Sequence, residues 1–274
     1  AIKLKGIYPV QVCIRKLDTL HIEFESQDIG VRGVAETVAE IQDCYNPYDS
    51  FALHKAALIA CGIIPQSSEG DLKEILKKLG GGIYLSTQVV GVPKGSGLGT
   101  SSILSAACVK AIFQFLGKEL DNSKISEIVL CMEQIMSTGG GWQDQIGGLT
   151  EGIKFIRSMP GIHQQMDVEY VKMSETAKKE LQERFALIYT GQRRLARNLL
   201  RDVVGSYIGA RPESIEALEN MAPIAALMKF ELERGIINGF AELLNQHWKL
   251  SKQLDQGSTN TCIDQIFMSC QDLI

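Results

Sequence analysis

The stretch Pro93-Lys94-Gly95-Ser96-Gly97-Leu98-Gly99-Thr100-Ser101-Ser102 constrains the fold more than any other part of the chain. Before it, Ile83, Leu85, Thr87 and Val89 alternate on one face of a predicted strand over 83–92. After it, residues 100–116 are nearly all apolar or small, as in a buried helix, and Gly117 ends the run. A strand must therefore turn through three glycines directly into a helix. Glycine tolerates backbone angles that other residues resist, so successive N–H groups can converge on one anion. Thr100, Ser101 and Ser102 open the helix, whose free N–H groups and positive dipole end favour phosphate. Their hydroxyls add oxygens for a metal or a hydrogen bond. Local pattern allows two readings: a phosphate cradle, or a glycine-rich turn with Ser/Thr caps.

The 274 residues provide for one large domain or two, with ample core. Hydrophobic residues at 45% and charged residues at 22% are ordinary for a soluble globular protein. A net charge of −4 argues against charge-driven binding to nucleic acid or a membrane surface. No apolar run approaches the roughly 20 residues that span a bilayer, and no signal peptide is visible at the N-terminus. The seven cysteines form neither a CxxC pair nor a Cys/His ligand cluster. Free buried thiols in a reducing cytoplasm account for them, and any metal is expected to arrive with substrate. The chain opens without Met in a strand-like pattern and closes within a helix-like one, so both ends are expected to be cut.

Residues 1–26 alternate as two or three strands, and 27–48 are expected to be loop with a short helix near 34–41. Helices are predicted at 51–61, 71–79 and 123–136, the last capped by Asn122 or Ser123. The run Thr138–Gly148 is too glycine-rich to predict regular structure. Strands follow at 153–156, 166–171 and 185–189. Helices are expected at 175–183, 193–208, 213–234, 237–255 and 261–273, with Pro223 kinking or dividing the third of these. The pattern thus shifts from mixed α/β to helix-rich near residue 160.

Three further features bear on chemistry. Glu133 sits beside the apolar stripe of its helix near the C-terminal end, either as an exposed helix glutamate or as a site carboxylate. Asp144 lies in the glycine run, either forming a turn or facing a ligand that the backbone approaches closely. Arg193, Arg194 and Arg197 follow Thr190-Gly191, either as a solvated basic face or as an anion site. Together with the cradle, these are the parts phosphoryl transfer needs: anchored phosphates, neutralised charge, and a base for the hydroxyl proton.

Pro93-x-x-x-Gly97-Leu98-Gly99-Thr100-Ser101-Ser102 resembles the Pro-x-x-x-Gly-Leu-Gly-Ser-Ser-Ala motif of the GHMP small-molecule kinases. Thr100 replaces the first serine, and Ser102-Ile103 replaces Ala-Ala. The resemblance implies that Pro93, Gly95, Ser96, Gly97, Leu98, Gly99, Thr100, Ser101 and Ser102 bind ATP. It implies that Ser101 and Glu133 hold Mg²⁺, and that Asp144, eleven residues after Glu133, is the catalytic base. The stretch Gly139-Gly140-Gly141-Trp142-Gln143-Asp144-Gln145-Ile146-Gly147-Gly148 is similar to the L-fucose kinase branch. So are Asn46-Pro47 with Phe51–Ala57, and Tyr189-Thr190-Gly191 with Arg194–Leu200.

The implied fold is the two-domain GHMP kinase architecture, α/β and α+β: an N-terminal domain over 1–158 and a helix-rich C-terminal domain over 159–274. The implied reaction is ATP-dependent phosphorylation of the anomeric hydroxyl of L-fucose in the cytoplasm. Gly141, Trp142, Gln143, Arg194 and Arg197 are expected to contact substrate. The branch's Gly-Gly-Trp-[Ser/Thr]-Asp-Thr-Pro-Pro segment is expected before Ala1, and its C-terminal glycine-rich motif after Ile274. Covalent fusion to a guanylyltransferase domain is a further expectation, and neither nucleic acid nor membrane is expected as a partner. A heptose-phosphate kinase or other sugar-1-kinase of the same family is the nearest alternative. A non-catalytic sugar or nucleotide sensor on the kinase fold is another, though a sensor needs no base.

Overall fold

The computed structural model describes residues 6–46, 48–67, 70–93, 96–138, 140–161, 165–191 and 196–270, of which 196–201 and 256 by backbone alone. Two compact units divide the chain, Ala1–Glu151 and Gly152–Ile274.

In the first unit, strands β1 (Val10–Leu17), β2 (Ile22–Ser26), β3 (Val31–Ala35) and β4 (Gly82–Val89) form a sheet in the order β1-β4-β2-β3. β4 pairs antiparallel with β1 and parallel with β2, and β2 and β3 form a hairpin. The alternation seen in sequence sets the faces. Ile83, Leu85 and Thr87 of β4 and Ile22 and Phe24 of β2 are buried. The opposite face is polar: the Arg15 guanidinium lies 4.4 Å over the Tyr84 ring, and Arg32 Nε donates to Glu25 Oε1 at 2.8 Å.

Among the described residues, six helices belong to this unit: α1 (Val38–Gln42), α2 (Ala52–Ala60), α3 (Leu72–Leu79), α4 (Thr100–Phe115), α5 (Asn122–Ile135) and α6 (Gln143–Leu149). Ala56–Ile59 of α2, Cys108, Val109 and Ile112 of α4, and Ile125, Val129 and Met132 of α5 join the buried sheet residues in one core. The apolar character of α4 follows from its place inside that core. One face of the sheet covered by helices is the ordinary solution for a sheet with polar residues opposite.

Four local expectations change. Residues 31–35 form a strand, because small Gly33 and Ala35 fit the hairpin with β2 while Gly33 leaves room for the Phe51 ring. The cap of α5 is Asp121, which accepts from Lys124 N at 2.8 Å, one residue ahead of the expected position. Glycine-rich 138–148 yields helix α6, with Gln145 and Ile146 buried. Tight packing explains this: a Cβ at Gly148 would stand 2.5 Å from Ile103 Cγ1, so only glycine lets α6 lie on α4. Residues 185–190 carry no regular structure, and Phe185, Leu187 and Ile188 are exposed. A strand needs a partner, and none of the described residues pairs with them.

The second unit contains the hairpin β5 (Lys154–Met159) and β6 (Gln165–Tyr170), then α7 (Glu175–Arg184), α8 (Ala196–Ile208), α9 (Pro212–Arg234), α10 (Ile237–Leu254) and α11 (Thr261–Cys270). α9 runs undivided through Pro223 and ends at Gly235 in the left-handed region, with φ of 73°. Met173, Ala177, Leu232 and Ile237 form a buried cluster in this unit. Among the described residues, no helix is long and apolar enough to cross a membrane.

Candidate active site

The site builds on the entry to α4. Gly99 caps that helix with φ of 63°, a left-handed conformation that costs any other common residue about 1–2 kcal/mol. Gly97 is left-handed too, at 76°. This geometry turns the chain from β4 into α4 and leaves the first N–H groups of α4 without helical partners. Gly99, having no side chain, cannot cap them. Leu98 and Ser101 are exposed, Thr100 is half-buried, and Ser102 faces inward. Pro93 is exposed and Ser96 half-buried, whereas Gly95 lies outside the described residues.

Two carboxylates reach this entry from different helices. Asp144 stands in the first turn of α6, and its side chain lies against Gly99: a Cβ there would sit 3.0 Å from Asp144 Cγ and 3.2 Å from Oδ2. The exposed carboxylate thus borders the cradle's last glycine. Trp142, half-buried, precedes α6 as its N-cap, flanked by exposed Gly141 and Gln143.

Glu133, in the last turn of α5, is only 6% exposed. Buried carboxylates need partners, and Glu133 has one for each oxygen. Ser102 Oγ donates to Oε1 at 3.2 Å, and Thr138 Oγ1 donates to Oε2. A Cβ at Gly140 would lie 3.0 Å from Oε2, so the glycine run closes over this carboxylate.

The structure therefore gathers Gly97, Gly99, Ser102, Glu133 and Asp144 within one unit. It places Ser102, rather than Ser101, in contact with Glu133. The reason is helical phase: the position facing α5 falls at 102, and 101 turns outward. Arg194 lies outside the described residues, and only the backbone of Arg197, at the start of α8, is described. Thr138 escaped the sequence reading. Its signal was a hydroxyl residue just past the end of a helix that carries a carboxylate in its last turn.

Oxygen donors of this kind, one carboxylate and neighbouring hydroxyls at a helix entry, suit Mg²⁺. No group of three or more His, Cys, Asp or Glu side chains fit to hold a metal occurs among the described residues. One carboxylate completed by substrate phosphates is how Mg²⁺ is ordinarily held in phosphoryl-transfer sites.

Residues 70–152 match the GHMP kinases N terminal domain. The chain is 34% identical over 275 residues to the L-fucokinase/L-fucose-1-P guanylyltransferase of Bacteroides fragilis, covering 99% of this chain and 29% of that protein. It is 34% identical over 267 residues to the bifunctional fucokinase/GDP-fucose pyrophosphorylase of Arabidopsis thaliana, covering 97% of this chain and 24% of that protein. The chain spans less than a third of the length of these relatives. A D-glycero-D-manno-heptose 1-phosphate kinase from Bacteroides thetaiotaomicron has the same fold, with a TM-score of 0.58 at 19% identity over 89% of this chain and 67% of that one. Residues 70–152 thus form a GHMP kinase N-terminal domain, and nearly the whole chain is similar to part of two fucokinase-containing proteins.

Proposed function

We propose that this chain is the kinase portion of a polypeptide that transfers the γ-phosphate of ATP to the anomeric hydroxyl of L-fucose, giving L-fucose 1-phosphate and ADP. The observation that carries this reading is the Asp144 carboxylate set against Gly99, which puts a proton acceptor at the edge of a phosphate cradle. Similarity to two fucokinases along nearly the whole chain supports the choice of sugar. Both relatives carry a second activity in their names, which supports fusion to a guanylyltransferase domain. On this reading 1–158 and 159–274 are the N- and C-terminal kinase domains, acting in the cytoplasm.

Backbone N–H groups around Gly97–Ser101 hold the β- and γ-phosphates, aided by the positive end of α4. Pro93, Gly95, Ser96 and Leu98 shape the approach to them. Glu133 and a hydroxyl from the first turn of α4, Ser101 by resemblance, would hold Mg²⁺. That ion, when bound, supplies charge neutralisation between the phosphates. Asp144 accepts the proton of the anomeric hydroxyl as its oxygen attacks the γ-phosphorus, and the bond to the ADP oxygen breaks. Trp142 offers the sugar an apolar face, with Gly141 and Gln143 beside it. Arg194 or Arg197 would steady the transferring charge.

A panel of free L-fucose, other free sugars and a heptose phosphate, each incubated with labelled ATP, tests the reading. Transfer to L-fucose above all others supports it. Preference for the phosphorylated heptose moves the chain to that activity, and absence of transfer to any acceptor favours a sensor.

A further inference from the structure

The end of α5 is built in an unusual way. Ser137 N–H bonds Gln134 O at 2.9 Å and Thr138 N–H bonds Glu133 O at 3.1 Å, the two hydrogen bonds of a Schellman helix end. Such an end ordinarily has glycine at its left-handed position. Here Ser137 occupies it, with φ of 53°. Strain of this sort persists where the surrounding structure requires the turn, and functional sites are where it concentrates. The turn brings Thr138 back beneath Glu133. Thr138 Oγ1 lies 3.0 Å from Glu133 O and also within reach of Oε2. The main-chain oxygen already accepts the Thr138 N–H, and a hydroxyl has only one proton to give. The charged oxygen is the stronger acceptor, so that proton goes to the carboxylate.

We propose that Thr138 is a positioning residue for the Glu133 carboxylate. It fixes Oε2 from the C-terminal side while Ser102 fixes Oε1 from α4, so the side chain is locked before a divalent ion arrives. The inference rests on the reading of Glu133 as a metal-holding carboxylate. Groups that orient a ligand in this way, without touching the ion, typically account for ten- to a hundredfold in metal affinity, by about that order.

The test measures binding of Mn²⁺, as a spectroscopic substitute for Mg²⁺, to the intact polypeptide with a non-hydrolysable ATP analogue, by electron paramagnetic resonance. Thr138→Val, which removes the hydroxyl and keeps the shape, should weaken Mn²⁺ binding about tenfold. Thr138→Ser, which keeps the hydroxyl, should stay within about twofold of the parent, and Glu133→Gln should weaken binding at least as far as Thr138→Val. If Glu133→Gln weakens binding while Thr138→Val does not, the positioning role is overturned and the reading of Glu133 stands. If Glu133→Gln leaves binding unchanged, Glu133 holds no metal and the inference fails with it. Thermal unfolding monitors the fold, and Thr138→Ala takes the place of Thr138→Val if that variant does not fold.

Discussion

Gly99→Ala isolates the contact on which the catalytic reading depends, because Gly97 provides a matched control. Both glycines are left-handed, at φ of 63° and 76°. An alanine at either costs about 1–2 kcal/mol in backbone strain, so urea unfolding should find the two variants destabilised alike. Their surroundings differ. A Cβ at 97 meets nothing within 4 Å, whereas one at 99 meets Asp144 at 3.0 Å from Cγ and 3.1 Å from Cβ. That spacing is a few tenths of an ångström tighter than ordinary contact, so the exposed Asp144 side chain must turn aside. Misplacing a reacting group by about 1 Å costs roughly a hundredfold in rate, so a shift of a few tenths of an ångström should cost about three- to fivefold. Steady-state turnover of the intact polypeptide should therefore fall about three- to fivefold further in Gly99→Ala than in Gly97→Ala. In an Asp144→Asn background the excess should vanish, since the group being displaced no longer accepts a proton. Equal turnover in the two glycine variants, or full additivity of Gly99→Ala with Asp144→Asn, would refute the reasoning.

His54 should make stability depend on acid. Its Nε2 lies 3.0 Å from Thr87 Oγ1, Phe24 and Phe51 present ring contacts, and burial pushes its pKa from 6.5 down to about 4. The unfolded chain takes up this proton before the folded one does. The stabilisation is complete above about pH 6.5 and disappears as pH falls through about 4, a change of about 3 kcal/mol. His54→Phe should flatten that part of the urea-unfolding profile between pH 7 and 4, and an unaltered slope would show that His54 is not the source. Gly148→Val should lower the melting temperature through about 1–3 kcal/mol of overpacking against Ile103, with partial recovery in Gly148→Val/Ile103→Ala. No loss in Gly148→Val would mean that α6 does not lie on α4. Leu85→Ala, at a fully buried position in β4, should cost about 2–5 kcal/mol in urea unfolding.

Much of the first unit was legible in the sequence because periodicity and burial share one cause. Ile83, Leu85 and Thr87 alternate since one face of β4 meets the core, and α4 is apolar since it lies inside that core. Features that depend on tertiary approach were hidden. Helix α6 forms in a glycine run that looks irregular until Ile103 is seen to occupy the space beside Gly148. Strand β3 depends on pairing with β2, and 185–189 has strand composition without a paired neighbour among the described residues. At the site, the spacing of eleven between Glu133 and Asp144 could be read in the chain. The facing of Ser102 toward Glu133 could not, because one residue of helical phase, about 100° of rotation, separates it from Ser101. Thr138 was invisible for a related reason: its role depends on a left-handed serine that no composition rule anticipates.

On the proposed function, the glycine-rich entry to α4 and Asp144 together transfer phosphate to a sugar hydroxyl. Phosphorus NMR of the intact polypeptide with ATP, Mg²⁺ and L-fucose should show a new phosphate signal coupled to the anomeric proton, with ADP formed in equal amount. That signal should disappear in Asp144→Asn while ATP binding persists. Phosphate on another position of the sugar, or undiminished product from Asp144→Asn, would contradict the proposal.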